Sequence, residues 1–160
     1  MAYTFYMTID GTKQGQFRGE ITTGPHKDMA PCLRFTYGVE SSRDMSTGYA
    51  VGKREHQPFV VVKEVGVSTP QVFQACVTNE VLRSVSFEFV QRNKEGEEEV
   101  YYAIKLTNAS VAAHKQLTGP DSTHEDTYDT LELEEISFKF ERISLEHKIG
   151  KTLASDEWSQ

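Results

Sequence analysis

Cysteine is scarce in this sequence: Cys32 and Cys76 are the only two among its 160 residues. Free thiols in a reducing compartment are the simpler interpretation of so few cysteines. Long apolar runs are also missing, because the longest run of aliphatic and phenylalanine residues is four, at 59–62, against ~20 for a membrane span. Residues 1–7 lack the basic start and apolar stretch of a secretory signal peptide. The sequence therefore predicts synthesis in the cytoplasm and no membrane insertion.

Basic residues are too few and too scattered for a nucleic-acid partner. The chain has 17 Lys and Arg against 24 Asp and Glu, which gives a net charge of −7. The only adjacent basic pair is Lys53-Arg54, whereas binding to a phosphate backbone needs a basic face. Nucleic acid is therefore excluded as an expected partner.

The apolar content is modest, since hydrophobic residues make up 38% of the chain. A single domain of this length still buries ~70% of its unfolded surface and needs no disulfide. A low apolar share then indicates either a thin core or a surface that another subunit completes. No composition shift divides residues 1–160, so one domain is expected.

The main pattern in the sequence is apolar residues at alternate positions, which is the period of a β-strand. The alternating segments lie at residues 3–9, 33–39, 84–89 and 99–106. The turn residues 93–96 join the last two into a predicted β-hairpin. Further strands are predicted at 109–114 and 131–147, the second with bulges between Leu133 and Ile136 and between Phe140 and Ile143, where the apolar register shifts.

One helix is predicted over about residues 69–79. Ser68 offers a capping hydroxyl, Pro70 suits the first turn, and Asn79 suits the end. The stripe expected to face the core consists of Val72, Phe73, Cys76 and Val77.

The sequence therefore predicts a mainly β fold, namely a β-barrel of two packed antiparallel sheets with one flanking α-helix and a long extended loop. Two segments, 40–57 and 117–128, lack periodicity, and long aperiodic loops are usually functional. The first is expected either to be a mobile lid or to be ordered by another molecule. Residues 148–160 are expected to form a C-terminal tail.

No active site emerges, and we expect no catalytic residue, cofactor or metal ion. The five histidines include no pair two or four residues apart that would chelate a metal on a strand or helix, so scattered surface histidines are expected. The glycine-rich residues 48–54 have the wrong spacing for a phosphate-binding loop. Cys76 is expected to be a small buried hydrophobe of the helix.

Several segments, in order, resemble the haemolysin-coregulated protein (Hcp) family, the tube subunits of type VI secretion systems. They are YMTIDG at 6–11, HKD at 26–28, FTYGV at 35–39, FVVVK at 59–63, STPQVFQAC at 68–76, YYAIKLTN at 101–108 and LEEISF at 133–138. The resemblance implies a non-enzymatic protein that forms homohexameric rings, and these rings stack into a hollow tube. It also implies a spike protein at the tube tip, a contractile sheath and baseplate around the tube, effector proteins in the lumen, and export without a cleaved signal peptide.

A ring needs one patch of each copy to dock on a different patch of the next. Residues 40–57 are expected to make that contact. The candidate interface residues are Arg43, Asp44, Ser46, Tyr49, Lys53, Arg54, Glu55 and His56.

Two other functions stay open at the level of sequence. One is a monomeric β-sandwich that binds a carbohydrate or a protein through loop aromatics such as Tyr49 and Tyr128. The other is a small metalloenzyme.

Overall fold

The computed structural model describes residues 5–120 and 130–158, which form eleven strands and one helix. Several strands are only two or three residues long. The elements are β1 Phe5–Gly11, β2 Gly15–Gln16, β3 Ala30–Cys32, β4 Arg34–Thr36, β5 Val39–Glu40, β6 Glu55–His56, β7 Phe59–Glu64, α1 Thr69–Thr78, β8 Leu82–Arg92, β9 Glu98–Pro120, β10 Thr130–His147 and β11 Thr152–Glu157.

Nine of these strands form one antiparallel sheet in the order β2-β1-β8-β9-β10-β7-β4, with β11 added to β10 and β3 added to β1. Residues 30–36 connect the two sides of this sheet, because β3 pairs with β1 and β4 pairs with β7. The sheet therefore curls back on itself. The predicted mainly β, antiparallel fold with one flanking helix is confirmed for the described residues.

The core forms where alternate side chains of the strands point inward. In β1 every second residue from Phe5 to Gly11 is buried. The ring of Phe87 stacks on that of Phe59 with 4.5 Å between centroids, and it meets Phe138 edge-on. The predicted hairpin is also confirmed, since β8 and β9 pair from Leu82 to Arg92.

The later strands differ from the prediction in detail. Residues 99–106 and 109–114 belong to the same strand, β9, which continues to Pro120. Residues 117–120 are therefore strand rather than loop, and residues 121–128 of that predicted loop lie outside the described residues. The β9–β10 register shifts between Ser137 and Phe138. The sequence predicts bulges on either side of this point, at 133–136 and at 140–143.

Helix α1 has the predicted bounds but a different buried face. Asn79 ends it in the left-handed conformation with φ 54°, as expected of an Asn cap. The buried residues are Thr69, Val72 and Ala75, whereas Phe73 and Val77 are 52% and 56% exposed. The predicted stripe is therefore wrong in half its members, and Cys76 is only partly buried. The Ser68 side chain makes no capping hydrogen bond.

A buried charged cluster fastens the start of α1 to the sheet. Lys63 of β7 lies beside its cross-strand neighbour Glu134 of β10, with 3.2 Å from Nζ to Oε2 and both side chains essentially inaccessible. Thr69 Oγ1 donates to Glu134 Oε2 and accepts the Gly66 N–H at 2.9 Å. Glu20 lies 3.5 Å from the same Nζ. The helix is therefore tied to β10 through Thr69.

Histidines are less exposed than the spacing argument predicts. The side chains of His56 and His114 are each 3% exposed, so the expectation of scattered surface histidines is wrong for these two. His26 stacks on Tyr6 and bonds to Glu98. Aromatic and carboxylate neighbours from distant strands bury these rings, and no local pattern in the sequence encodes such neighbours.

Candidate functional site: an arm anchored to the C-terminal strand

Residues 39–57, here called the arm, leave the barrel as a hydrogen-bonded hairpin. Strands β5 and β6 pair only with each other, Val39 with His56 and Glu40 with Glu55. Farther out, Arg43 and Ala50 form an isolated antiparallel bridge, and the Val51 N–H donates to the Ser42 carbonyl at 2.9 Å. The arm is therefore ordered by its own bonds and shares no strand pairing with the nine-stranded sheet.

Asp44 organises the turn at the outer end of the arm. Its carboxylate accepts hydrogen bonds from the Ser46 hydroxyl at 2.7 Å, the Ser46 N–H at 2.8 Å and the Thr47 N–H at 3.4 Å. The bond from the Ser46 hydroxyl and then those from the two backbone N–H groups lower the pKa of Asp44. Gly48 follows with φ 75°, in the left-handed region that glycine adopts without strain. The turn is therefore specified by local side-chain chemistry.

Apolar side chains stand exposed around this turn. Met45 is fully exposed, Tyr49 is 76% exposed and Val51 is 52% exposed. We call these three residues the arm tip. Single exposed apolar residues are ordinary, but three on one protruding hairpin form a surface typical of protein contacts.

At its base the arm is fastened to β11 by a bidentate ion pair. Arg54 Nε lies 2.5 Å from Asp156 Oδ2 and its Nη2 lies 2.7 Å from Oδ1. The same Nη2 donates to the Glu157 carbonyl oxygen at 2.7 Å. The bond from Arg54 is the main cause that lowers the pKa of Asp156 to about 2, with a further contribution from His56, while partial burial opposes the shift. Asp156 is therefore a carboxylate at neutral pH.

His56 links this ion pair to the aromatic core. Its Nε2 lies 2.7 Å from Asp156 Oδ2, and its Nδ1 lies 2.6 Å from the Tyr37 hydroxyl. Because a carboxylate only accepts hydrogen bonds, Nε2 carries the proton and donates it, and in the neutral ring Nδ1 accepts from the Tyr37 hydroxyl. Burial, followed by the Asp156 charge, raises the pKa of Tyr37, which keeps this hydroxyl protonated. Trp158 closes the cluster 5.1 Å from the imidazole centroid.

Grooves flank the anchored base of the arm on either side of His56. One groove of about 410 Å³ runs between His56 and Trp158, over Pro58 and Phe140. A second of about 370 Å³ lies toward β10 and β11; its apolar lining residues are Tyr37, Val39, Ile143, Leu145 and Ala154.

The structure divides the eight candidate interface residues into two groups. Arg43, Asp44, Ser46 and Tyr49 lie together at the outer end of the arm, where Arg43 donates to the Gly48 carbonyl oxygen at 3.4 Å. Arg54 and His56 lie in the base and bond to Asp156, while Lys53 and Glu55 are exposed. Whether all eight contact another copy stays a prediction.

Sequence reasoning missed Asp156, Tyr37 and Trp158. Asp156 lies 102 residues from Arg54 along the chain, and no spacing rule predicts such a pair. Residues 152–157, part of the predicted tail, are strand β11, paired with β10 from His147 to Arg142. Trp158 was the one residue of the three that composition could have singled out, because the chain has only one tryptophan.

In residues 5–120 and 130–158 no group of three His, Cys, Asp or Glu side chains is placed to hold a metal ion. No helix in the same residues has the length and apolar character to cross a membrane. Tyr128, the second loop aromatic of the binding-module hypothesis, lies outside the described residues.

The model of the family described as "Type VI secretion system effector, Hcp" matches residues 6–147. The chain belongs to the Hcp family. This confirms the resemblance found in the sequence, and it makes the chain a type VI secretion protein of a family of secreted tube proteins that is not known as an enzyme family.

Individual Hcp relatives agree over nearly the full length. The "Major exported protein" of Pseudomonas aeruginosa is 28% identical over 99% of this chain and 96% of its own. A crystal structure of an Hcp protein superimposes with a TM-score of 0.87, covers 99% of both chains and is 22% identical. A secreted Hcp protein from Pseudomonas aeruginosa superimposes with a TM-score of 0.76, covers 96% of this chain and 99% of its own, and is 25% identical. The relatives therefore support a secreted protein that self-associates in tube assembly.

Proposed function

We propose that this chain is the inner-tube subunit of a type VI secretion system. In this proposal six copies form a ring and the rings stack into a hollow tube carrying effector proteins. A spike protein caps the tube, and contraction of the surrounding sheath on its baseplate expels it. The chain is made in the cytoplasm and leaves the cell without a cleaved signal peptide. Family membership supports this role, and the arm is the feature of this chain that carries it.

The arm is suited to join one copy to another. Its tip presents Met45, Tyr49 and Val51 to solvent on a hairpin held by its own bonds, so little ordering entropy is lost when it docks. The arm, residues 39–57, carries three Lys or Arg and three Asp or Glu side chains, in a chain of net charge −7. An arm without net charge can approach the acidic surface of another copy without strong charge repulsion.

Deletion of residues 42–52 tests this function. The deletion leaves Ser41, Lys53 and Arg54 as a short turn between the paired residues Glu40 and Glu55, a length that closes a hairpin. We expect native mass spectrometry to find rings for the full chain and monomers for the deletion variant. The barrel of the variant should still melt cooperatively, because the removed residues contribute no strand to the nine-stranded sheet.

A point variant isolates the arm tip from the rest of the arm. Met45→Ser with Tyr49→Ser removes apolar surface that is largely exposed to solvent in the single chain, so the melting temperature should change little. Ring formation should weaken. Rings that persist unchanged in the deletion variant would show that the contact lies elsewhere on the molecule.

A further inference from the structure

We propose that Asp156 is a positioning residue for self-assembly: β11 carries a carboxylate that fixes the direction of the arm through Arg54 and His56. This inference rests on the proposed function, in which the arm contacts a neighbouring copy. It assigns a role in assembly to the C-terminal strand, which lies far from the arm in the sequence.

The connectivity of the arm makes an anchor of this kind necessary. The β5–β6 ladder contains two residue pairs and belongs to a sheet separate from the barrel. The backbone hydrogen bonds at the base of the arm join its own two sides, such as the bond from the Gln57 N–H to the Gly38 carbonyl oxygen at 2.8 Å. These bonds hold the two strands of the hairpin together, but a two-strand hairpin alone is marginally stable and they do not fix its direction relative to the barrel. Contacts from other strands therefore have to set the angle at which the arm leaves the barrel.

Asp156 supplies the densest set of such contacts. Its two carboxylate oxygens accept hydrogen bonds from Nε and Nη2 of Arg54 and from Nε2 of His56, with distances between 2.5 and 2.7 Å. A planar guanidinium on a carboxylate fixes orientation as well as distance. His56 is also packed edge-on against Phe140 of β10, with centroids 5.5 Å apart. Asp156 therefore ties two residues of the arm base, Arg54 and His56, to strand β11.

The length of the arm magnifies any error at its base. Fully extended, the residues from Arg54 to Ser46 would span at most ~25 Å, at a strand rise of ~3.3 Å per residue. A rotation of ~10° at the base then moves the arm tip by up to ~4 Å, more than packed surfaces tolerate. Loss of the anchor should consequently weaken assembly without removing any side chain of the arm tip.

Asp156→Asn is the variant that tests the anchor, and Glu157→Gln is its matched control. An asparagine keeps the shape of Asp156 but presents an amide NH₂ to the donors of Arg54 and His56. Glu157 lies on the same strand with similar exposure, and its side chain pairs with Arg142 at 3.1 Å rather than with the arm. Both variants remove one negative charge and one ion pair. Only the first changes a side chain that contacts the arm, because Glu157 meets Arg54 through its backbone carbonyl oxygen, which Glu157→Gln retains.

The measurement is the protein concentration at half-assembly, from native mass spectrometry or sedimentation of the full chain. We expect Asp156→Asn to raise this concentration at least ~10-fold and Glu157→Gln to change it less than ~2-fold. The thermal midpoint of the barrel should change little in either variant, because the arm contributes no strand to the nine-stranded sheet and the side chains of both removed pairs are between 32% and 46% exposed. In dilute monomer, emission of Trp158 should shift to the red only in Asp156→Asn, as the His56 ring moves off it.

A double-mutant cycle shows whether Asp156 acts through Arg54. If it does, Asp156→Asn with Arg54→Gln assembles no worse than the poorer single variant. Additive losses, or an Asp156→Asn protein that behaves like Glu157→Gln while the 42–52 deletion abolishes rings, would overturn the inference and leave the proposed function intact. Rings that survive the 42–52 deletion would instead refute the arm contact itself, and the inference with it.

Discussion

Lys63→Met would remove the lysine ammonium from the charged cluster beneath helix α1. Nζ of Lys63 lies 3.2 Å from Glu134 and 3.5 Å from Glu20, and it donates to the Glu64 carbonyl oxygen at 2.8 Å. Methionine retains most of the aliphatic stem, so the change removes charge with little change of volume. It leaves Glu134, which has no accessible surface, and Glu20 without their lysine partner, while His114 Nε2 stays 3.4 Å from Glu134 Oε1.

The expected cost follows from the burial of this pair. Removing one partner from a buried ion pair typically costs 3–5 kcal/mol, because the remaining charge is left unpaired, so we expect about 3–5 kcal/mol for Lys63→Met. Native domains are stable by only about 5–15 kcal/mol, so this is a large share. Glu134→Gln should cost less, because Lys63 keeps Glu20 and the Glu64 carbonyl oxygen.

Urea unfolding at pH 7, followed by circular dichroism, measures these free energies. The midpoint should first be shown to be independent of protein concentration, so that assembly does not contribute to it. The double variant Lys63→Met/Glu134→Gln removes both charges of the closest pair. It should recover about 1–3 kcal/mol relative to the sum of the single variants. A cost below about 1 kcal/mol for Lys63→Met, or strict additivity, would refute a stabilising buried pair.

Two further expectations concern carboxylates that bind the backbone or the arm. Glu80 is 1% exposed and accepts hydrogen bonds from the Lys13 and Gln14 N–H groups at 3.0 and 2.9 Å. Burial acts to raise the pKa of Glu80. These two bonds and one from the Gln14 side chain outweigh burial, so the pKa is lowered. Glu80→Ala should therefore cost about 1–3 kcal/mol in urea unfolding, and Glu80→Gln less, since its oxygen still accepts. For Asp156, the folded pKa of about 2 lies below the ordinary value of 3.8, so its stabilisation is complete above about pH 5 and is lost as the pH falls toward 2. Trp158 emission should accordingly change as the pH falls toward 2 in the native chain, and this acid transition should be absent from Asp156→Asn; the same acid profile in both proteins would contradict the Arg54–Asp156 assignment.

Local chemistry was enough to predict much of this fold from the sequence. Alternation of apolar residues identified β1 and the β8–β9 hairpin, because a strand with one buried face needs that period. Pro70 and Asn79 bounded α1, because proline suits a first helical turn and asparagine tolerates the left-handed cap. The order of the segments that resemble Hcp proteins also indicated that family, which the family match over residues 6–147 bears out.

The tertiary structure decided which face of an element is buried where the sequence allowed more than one. The apolar residues of α1 cover more than one face, and the Thr69–Glu134 contact turns Val72 and Ala75 rather than Phe73 and Val77 toward the sheet. The sequence by itself determined the β class, the single helix and an aperiodic segment at 40–57. It did not determine that Arg54 meets a carboxylate 102 residues away, because the pairing arises only when β11 is added to β10 beside the arm. The candidate contact residues are thus local in sequence, but the carboxylate that Arg54 and His56 bond to comes from a strand about 100 residues later in the chain.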